Sequence, residues 1–291
     1  MRRGIRLIWR FAFRIYGRYV PLRFVHHFSP LLSWPLKLAG IRGSVALSNV
    51  SLAFPEKEER VRCRIARRSL ENLVTVYLEM PRLGHMPDNE LRRHFEIDNL
   101  EVLTDRTIDE RGALLLSGHI GNWELLALGS ARLAQRPFSI IVKGQDDFGE
   151  LDRMRSTFGN KMIPLHKAAL SASRILSKGG VVAMLADQSP PSTELPVTLF
   201  GVETTAFSTP ARLALRYRPK VILGFAIRLA DGRYRTTLSE LPHNDLDDTH
   251  EGIELFTRRY LDALEKAIRE YPEQWVWQHR RWKRSPGIKY D

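Results

Sequence analysis

The sequence predicts an α/β fold, with a mostly parallel mixed sheet flanked by helices and an N-terminal amphipathic helical segment that associates with a membrane. Three observations predict it. Short apolar runs alternate with helical patterns, and the runs are apolar on both faces, as strands of a covered parallel sheet are. Hydrophobic residues are 43% and charged residues 27% of the 291 residues, enough to fill a sizeable core and to exclude disorder. The net charge of +12 is uneven. From Met1 to Pro55 there is no Asp or Glu, against nine basic residues: Arg2, Arg3, Arg6, Arg10, Arg14, Arg18, Arg23, Lys37 and Arg42. Residues 1–45 therefore read as a basic membrane-associating segment and residues 46–291 as one catalytic domain. The single cysteine, Cys63, excludes an intrachain disulfide and fits a reducing compartment, and no stretch reads as a cleavable signal peptide.

The elements follow in order. Residues 5–25 carry Arg6, Arg10, Arg14 and Arg18 every four positions among Ile, Leu, Trp and Phe, a basic stripe that winds slowly around an apolar helix. An arginine in every turn rules out a spanning helix and suits an interface with anionic headgroups. Residues 28–40 are apolar but broken by Pro30 and Pro35, and read as shallow or re-entrant. The alternative is that both pieces pack on the domain as ordinary helices. Residues 57–83 have helical spacing through Val61, Ile65, Leu70, Val74 and Leu78. Leu114–Leu116 is a strand and Asn122–Gln135 a helix; 138–143 is the next strand, followed by a polar helix around Asp147–Phe158. Residues 161–164 read as strand, Ala168–Lys178 as helix, and 181–187 as an apolar strand with a turn after it. Thr209–Arg216 is helical, 221–241 a hairpin with Asp231-Gly232 at its turn, and Glu251–Tyr271 a long amphipathic helix.

The stretch GALLLSGHIGNWELLALGS, residues 112–130, sets two titratable groups between apolar runs. His119 follows the strand and Glu124 lies in the first turn of the next helix. In sheets of this kind reacting groups gather beyond the carboxyl ends of the strands. A carboxylate folded back onto the imidazole fixes its tautomer and leaves the other nitrogen as a general base. N–H groups around Gly121–Trp123 at the helix start suit a developing oxyanion. Together these parts suit acyl transfer from an activated donor to a hydroxyl. Metalloprotease spacing, a Cys/His zinc cluster, the G-x-S-x-G elbow and a phosphate-binding G-x-x-x-x-G-K-[ST] loop are all missing from the sequence. No metal or cofactor is expected.

His119 to Glu124 resembles the His-x4-Asp/Glu motif of glycerolipid and glycolipid acyltransferases. GHIGNWELLAL is similar to one branch, the lipid A biosynthesis lauroyl/myristoyl acyltransferases. NVSLAFPEKEE at 49–59, GGVVAMLADQSP at 179–190, VTLFGVETTAFSTPARLAL at 197–215 and YPEQWVWQHRRWKRSP at 271–286 resemble further segments of that branch, in order. The resemblance implies an enzyme on the cytoplasmic face of the bacterial inner membrane, peripheral or monotopic. It would move an acyl group from acyl carrier protein, or from coenzyme A, to a hydroxyl of a lipid or glycolipid. It carries over His119 as base and Glu124 as its partner. Arg155 falls where the family has a substrate-binding arginine, suited to an anionic acceptor. Asn122, Trp123, Lys143 (where the family commonly has an arginine–proline pair), Asp187, Gln188, Arg280 and Arg281 are the other substrate-binding candidates. The basic surface suits acidic acyl carrier protein and anionic lipid, and the leucines and aromatics among the charges argue against nucleic acid. Three alternatives stay open: another acceptor (a lysophospholipid, mannosyl lipid or aminolipid), a non-catalytic lipid-binding protein, and a lipid hydrolase.

Overall fold

The structure is a computed structural model that describes residues 2–143, 149–191 and 193–290, with side chains from Arg10 onward. Four helices come first: α1 (Arg2–Tyr19), α2 (Leu22–Leu38), α3 (Gly43–Ala53) and α4 (Glu59–Leu83). The helix expected across 5–25 divides because Pro21 cannot continue α1 and instead stands at the N-cap of α2. The break expected at Pro30 and Pro35 does not occur: α2 runs through both prolines. Pro30 has no N–H for the carbonyl of His26, and the Ser29 hydroxyl donates to that carbonyl instead, at 3.4 Å.

The helix α5 (Asp88–His94), strand β1 (Phe95–Asp98) and short helices α6 (Glu101–Thr104) and α7 (Thr107–Arg111) lead into the sheet. There β2 (Ala113–Ser117), α8 (Trp123–Leu133), β3 (Phe138–Val142), α9 (Glu150–Arg155), β4 (Lys161–Pro164), α10 (Ala168–Leu176) and β5 (Val181–Leu185) alternate as expected. The start of the helix expected from Asp147 lies outside the described residues. A tight pair, β6 (Leu195–Leu199) and β7 (Val202–Ala206), precedes α11 (Thr209–Tyr217), β8 (Lys220–Leu223), β9 (Ile227–Arg228), β10 (Tyr234–Thr237), β11 (Ser239–Glu240) and α12 (His250–Glu270).

The main sheet has the order β11-β8-β2-β5-β3-β4. Its strands are parallel except the short edge strand β11, which makes it mixed. A smaller mixed sheet, β1-β10-β9, and the antiparallel β6-β7 pair complete the strands. The expected 221–241 hairpin is present: β9 pairs with β10 and β8 with β11 in one antiparallel register around Asp231-Gly232, and residues 220–223 also pair with β2 in the main sheet. A run as apolar as VILG belongs at a covered centre, and the polar YRTT that follows belongs at the rim.

β2 is buried along its whole length. Leu114 and Leu116 face a core built with α10, α11 and α12, while Ala113 and Leu115 face one built with α4 and α8. Both faces being covered explains why the strand shows no polar alternation. The sheet thus delivers its central carboxyl ends, at Ser117 and Leu185, to one rim.

Candidate active site

His119 stands two residues beyond the end of β2, and Asp187 two residues beyond the end of the adjacent parallel β5. Ser117 and Leu185 are register partners, so equal offsets carry His119 and Asp187 to the same level and the same side. The Asp187 side chain is 2% exposed and meets His119 twice. Its Oδ1 accepts from Nδ1–H of the imidazole at 2.7 Å, and its Oδ2 accepts from the backbone N–H of His119 at 2.7 Å. The indole Nε1–H of Trp275 donates to the same Oδ2 at 2.8 Å. Burial raises the pKa of this carboxyl, but the His119 charge and these three donors outweigh it and hold the pKa at about 2. Gly118 permits the approach, since a Cβ there would lie 2.7 Å from Leu264 Cδ1 and 3.2 Å from Asp187 Oδ2.

With Nδ1 committed to Asp187, Nε2 is the accepting nitrogen of the ring. The Gln188 side-chain amide reaches it at 3.3 Å, and the Trp123 ring packs against the imidazole with centroids 5.1 Å apart. The imidazole keeps 21% of its side chain exposed. The ring thus has a buried carboxylate on one nitrogen and the Gln188 amide on the other.

Glu124 is not the imidazole's partner. Its carboxylate receives Arg155 in a two-pronged pair, Nε to Oε2 at 2.9 Å and Nη2 to Oε1 at 2.5 Å. The turn between the two residues explains the difference. Gly121 has φ +61°, and a Cβ there would lie 1.9 Å from the carbonyl of Ala226. That turn directs the first turn of α8 toward α9, where the fork of Arg155 meets a carboxylate that Asp187 has already replaced at the ring.

The oxyanion expectation needs a correction too. The N–H of Gly121 donates to Gln274 O at 3.0 Å and that of Asn122 to Ala226 O at 2.9 Å. Of the three N–H groups expected around the turn, only that of Trp123 falls within the first helical turn, where helices leave N–H groups without intrahelical partners. The Asn122 side chain caps that turn, its Oδ1 accepting from Leu125 N–H at 2.8 Å. It faces the protein interior, and so does not act as the expected substrate contact.

The remaining candidates divide. Lys143 is exposed just past β3, and its neighbour Gly144 lies outside the described residues. Arg280 is exposed, its guanidinium over the Tyr290 ring. Arg281, expected on a basic surface, is buried instead. Its Nη1 donates to Thr204 Oγ1 at 2.9 Å and to Thr205 O at 3.0 Å, and burial lowers its pKa to about 10. It ties the β6-β7 pair to the core and cannot meet a ligand from solvent. His279 beside the site is held neutral, its pKa lowered to about 4 by burial first, and its Nε2 accepts from Ser189 N–H at 3.2 Å.

Several residues of the site frame have no motif chemistry to mark them. The chain from Pro272 to Trp282 runs along the back of the His119 turn, with Val276 N–H donating to His119 O at 3.0 Å. Asn49 holds this run by donating to Trp277 O at 2.6 Å and His279 O at 2.7 Å, while Ser69 donates to Trp275 O and Asn72 to Gln274 O. Phe54, Phe200 and Trp277 then pack ring to ring at 5.4–6.1 Å. Three motif segments far apart in sequence therefore meet behind the site as its frame.

In the N-terminal helices, Arg10 donates to the buried Glu150 at 2.6 Å and Arg14 to the same carboxylate at 3.4 Å. Part of the expected headgroup-facing stripe therefore faces the protein instead, and the Arg6 side chain lies outside the described residues. Phe11, Phe24, Leu31, Trp34 and Leu38 are exposed. Among the described residues no helix is long and apolar enough to cross a membrane.

The family described as bacterial lipid A biosynthesis acyltransferase matches residues 6–284. A lipid A biosynthesis lauroyltransferase of Escherichia coli (strain K12) is 27% identical over 255 residues, covering 84% of this chain and 80% of the relative. The palmitoleoyltransferase of lipid A biosynthesis from the same organism is 25% identical over 256 residues, with the same coverage. A lipid A biosynthesis acyltransferase of Shigella flexneri matches at the same identity and coverage.

Proposed function

Because the chain belongs to the bacterial lipid A biosynthesis acyltransferase family, we propose that it moves a fatty acyl group from a thioester to a hydroxyl of a lipid A precursor. The observation that carries this reading is the His119–Asp187 pair, a partly exposed imidazole held at Nδ1 by a buried carboxylate. The acceptor hydroxyl gives its proton to Nε2 as its oxygen attacks the thioester carbonyl. Asp187 holds the imidazolium that forms. The tetrahedral intermediate places negative charge on the former carbonyl oxygen, which the Trp123 N–H and the Gln188 amide would stabilise. Collapse forms the ester and breaks the C–S bond, and the imidazolium returns its proton to the leaving thiolate. Atoms balance with no covalent acyl-enzyme.

Glu124 and Arg155 act as a pair in this reading. The carboxylate presets the guanidinium for a phosphate or other anion on the acceptor. The donor is acyl carrier protein or coenzyme A, and the net basic chain favours the acidic carrier protein. Residues 1–45 rest on the cytoplasmic face of the inner membrane through Phe11, Phe24, Leu31, Trp34 and Leu38, with basic residues toward anionic headgroups. Mass spectrometry of membrane lipids from cells with and without the protein tests the reading. One added acyl group on the lipid A class supports it. An added acyl group on another lipid class, or released fatty acid alone, overturns the assigned acceptor or the transfer itself.

A further inference from the structure

Glu79 is a carboxylate near the end of α4 with its side chain only 1% exposed, and it touches no part of the reacting groups. A carboxylate so deeply buried is unfavourable unless donors surround it. Here donors come from three elements. Oε2 accepts from Asn122 Nδ2 at 2.6 Å and from the Tyr234 hydroxyl of β10 at 2.8 Å, while Oε1 meets Nε2 of His26 from α2 in a short contact. Burial and then the Glu79 charge push the Tyr234 phenol well above its usual 10, which keeps it a donor.

The contact with Asn122 has a consequence for the site. An asparagine amide can point either way, and only one way lets Oδ1 cap the helix by accepting from Leu125 N–H. Turned over, the amide would set its oxygen against the Glu79 carboxylate and its NH2 against another N–H. Glu79 therefore selects the capping orientation. The capped turn carries Trp123, packed on the imidazole, and Glu124, which holds Arg155. An apolar side chain at position 79 would fill the same space without burying a charge, but it would make no such selection.

We infer that Glu79 is a positioning residue for acyl transfer, acting through Asn122 on the turn from His119 to Glu124. The inference rests on the acyl-transfer reading above. It also joins α2, the helix that exposes Phe24, Leu31 and Trp34, to the cap of the helix beside the base through a single carboxylate.

The test is a set of variants of the full chain, assayed for transfer from acyl carrier protein thioester to a phosphorylated glycolipid at a temperature where each is folded. Glu79→Met removes the acceptor that faces the Asn122 amide and leaves both amide orientations open. It is expected to lose about 10²-fold in kcat, the scale of a misplaced catalytic geometry, with the donor KM unchanged. Asn122→Asp sets two carboxylates together and is expected to lose kcat as well. The double variant E79Q/N122D restores a donor to the pair: the new amide donates to the new carboxylate, which still caps Leu125. It is expected to recover most of the kcat. Tyr234→Phe removes one donor and leaves the link to Asn122, so it is expected to lose stability while keeping its kcat. Unchanged kcat in E79M, no recovery of Asn122→Asp by E79Q, or an equal kcat loss in Tyr234→Phe would each overturn the inference. Should E79M not fold, Asn122→Asp alone carries the test, since it sets two carboxylates together and should be rescued by adding E79Q. A wild-type protein without transfer activity overturns the acyl-transfer reading instead. Hydrogen exchange at the Leu125 amide, faster in E79M and in Asn122→Asp and slowed again in the double variant, then reads the link to the cap directly, and unchanged exchange overturns it.

Discussion

Replacing Asp187 by asparagine keeps the volume of the side chain and removes its charge. In the native site one carboxylate oxygen accepts from the imidazole and the other from the His119 N–H and the Trp275 indole. An asparagine has one accepting oxygen for these three donors. If that oxygen stays with the backbone and the indole, its NH2 faces Nδ1 and forces the ring proton onto Nε2. That tautomer cannot take a proton from the acceptor hydroxyl. The expected loss in kcat is about 10²–10⁴-fold, the range for a general base and its orienting carboxylate, or about 3–5 kcal/mol. Stability moves as well. The carboxyl of Asp187 falls from 3.8 to about 2 on folding, so its contribution is present above 3.8 and is lost as pH falls toward 2. That contribution is about 2 kcal/mol at neutral pH. Single-turnover transfer at saturating substrates, with urea denaturation at neutral pH and down the acid limb, measures both. Glu124→Gln is the companion variant: it loosens Arg155 and raises the acceptor KM more than it lowers the single-turnover rate. A D187N protein with unchanged kcat beside an inert E124Q protein would refute the assignment of Asp187 as the imidazole's partner.

Three further outcomes are expected. Gly121→Ala places a Cβ 1.9 Å from Ala226 O at φ +61°, and should destabilise the fold by about 3 kcal/mol or more in thermal or urea unfolding. Asn49→Ala leaves the Trp277 and His279 carbonyls without their buried donor, and should lose about 2–4 kcal/mol in the same unfolding measurement. The variant L31E/W34E puts charge on the exposed apolar face of α2. It should lower binding to anionic vesicles by roughly tenfold or more in sedimentation, with little change in thermal stability because neither residue is packed in the core.

The alternation of strand and helix from Ala113 to Leu185 is legible in the sequence because the strands are short apolar runs, the central β2 and β5 buried on both faces, and the helices between them have polar positions as well. The position of His119 is legible for the same reason, at the end of such a strand. Its partner is not. Asp187 reaches the ring only because β5 lies beside β2 in a register that pairs Leu185 with Ser117, and neither neighbour nor register can be read from one chain. A five-residue spacing favours Glu124 in sequence, but the left-handed turn at Gly121 and the fork of Arg155 decide otherwise in space. Arg281 reads as a surface charge in HRRWKR, although Trp277 and Trp282 on either side are buried and signal that this run enters the core. Glu79 lies in a helix with ordinary amphipathic spacing, and only the arrival of Asn122, Tyr234 and His26 from distant elements marks it.

The most direct test of the central claim is a mass balance in vitro. Purified full-length protein is given an acyl carrier protein thioester and a phosphorylated glycolipid with a free hydroxyl, and products are followed by mass spectrometry. The expected result is one ester-linked acyl group gained by the glycolipid for each thiol released, and none gained with His119→Ala. Free fatty acid without an acylated lipid, or undiminished transfer by His119→Ala, would contradict it.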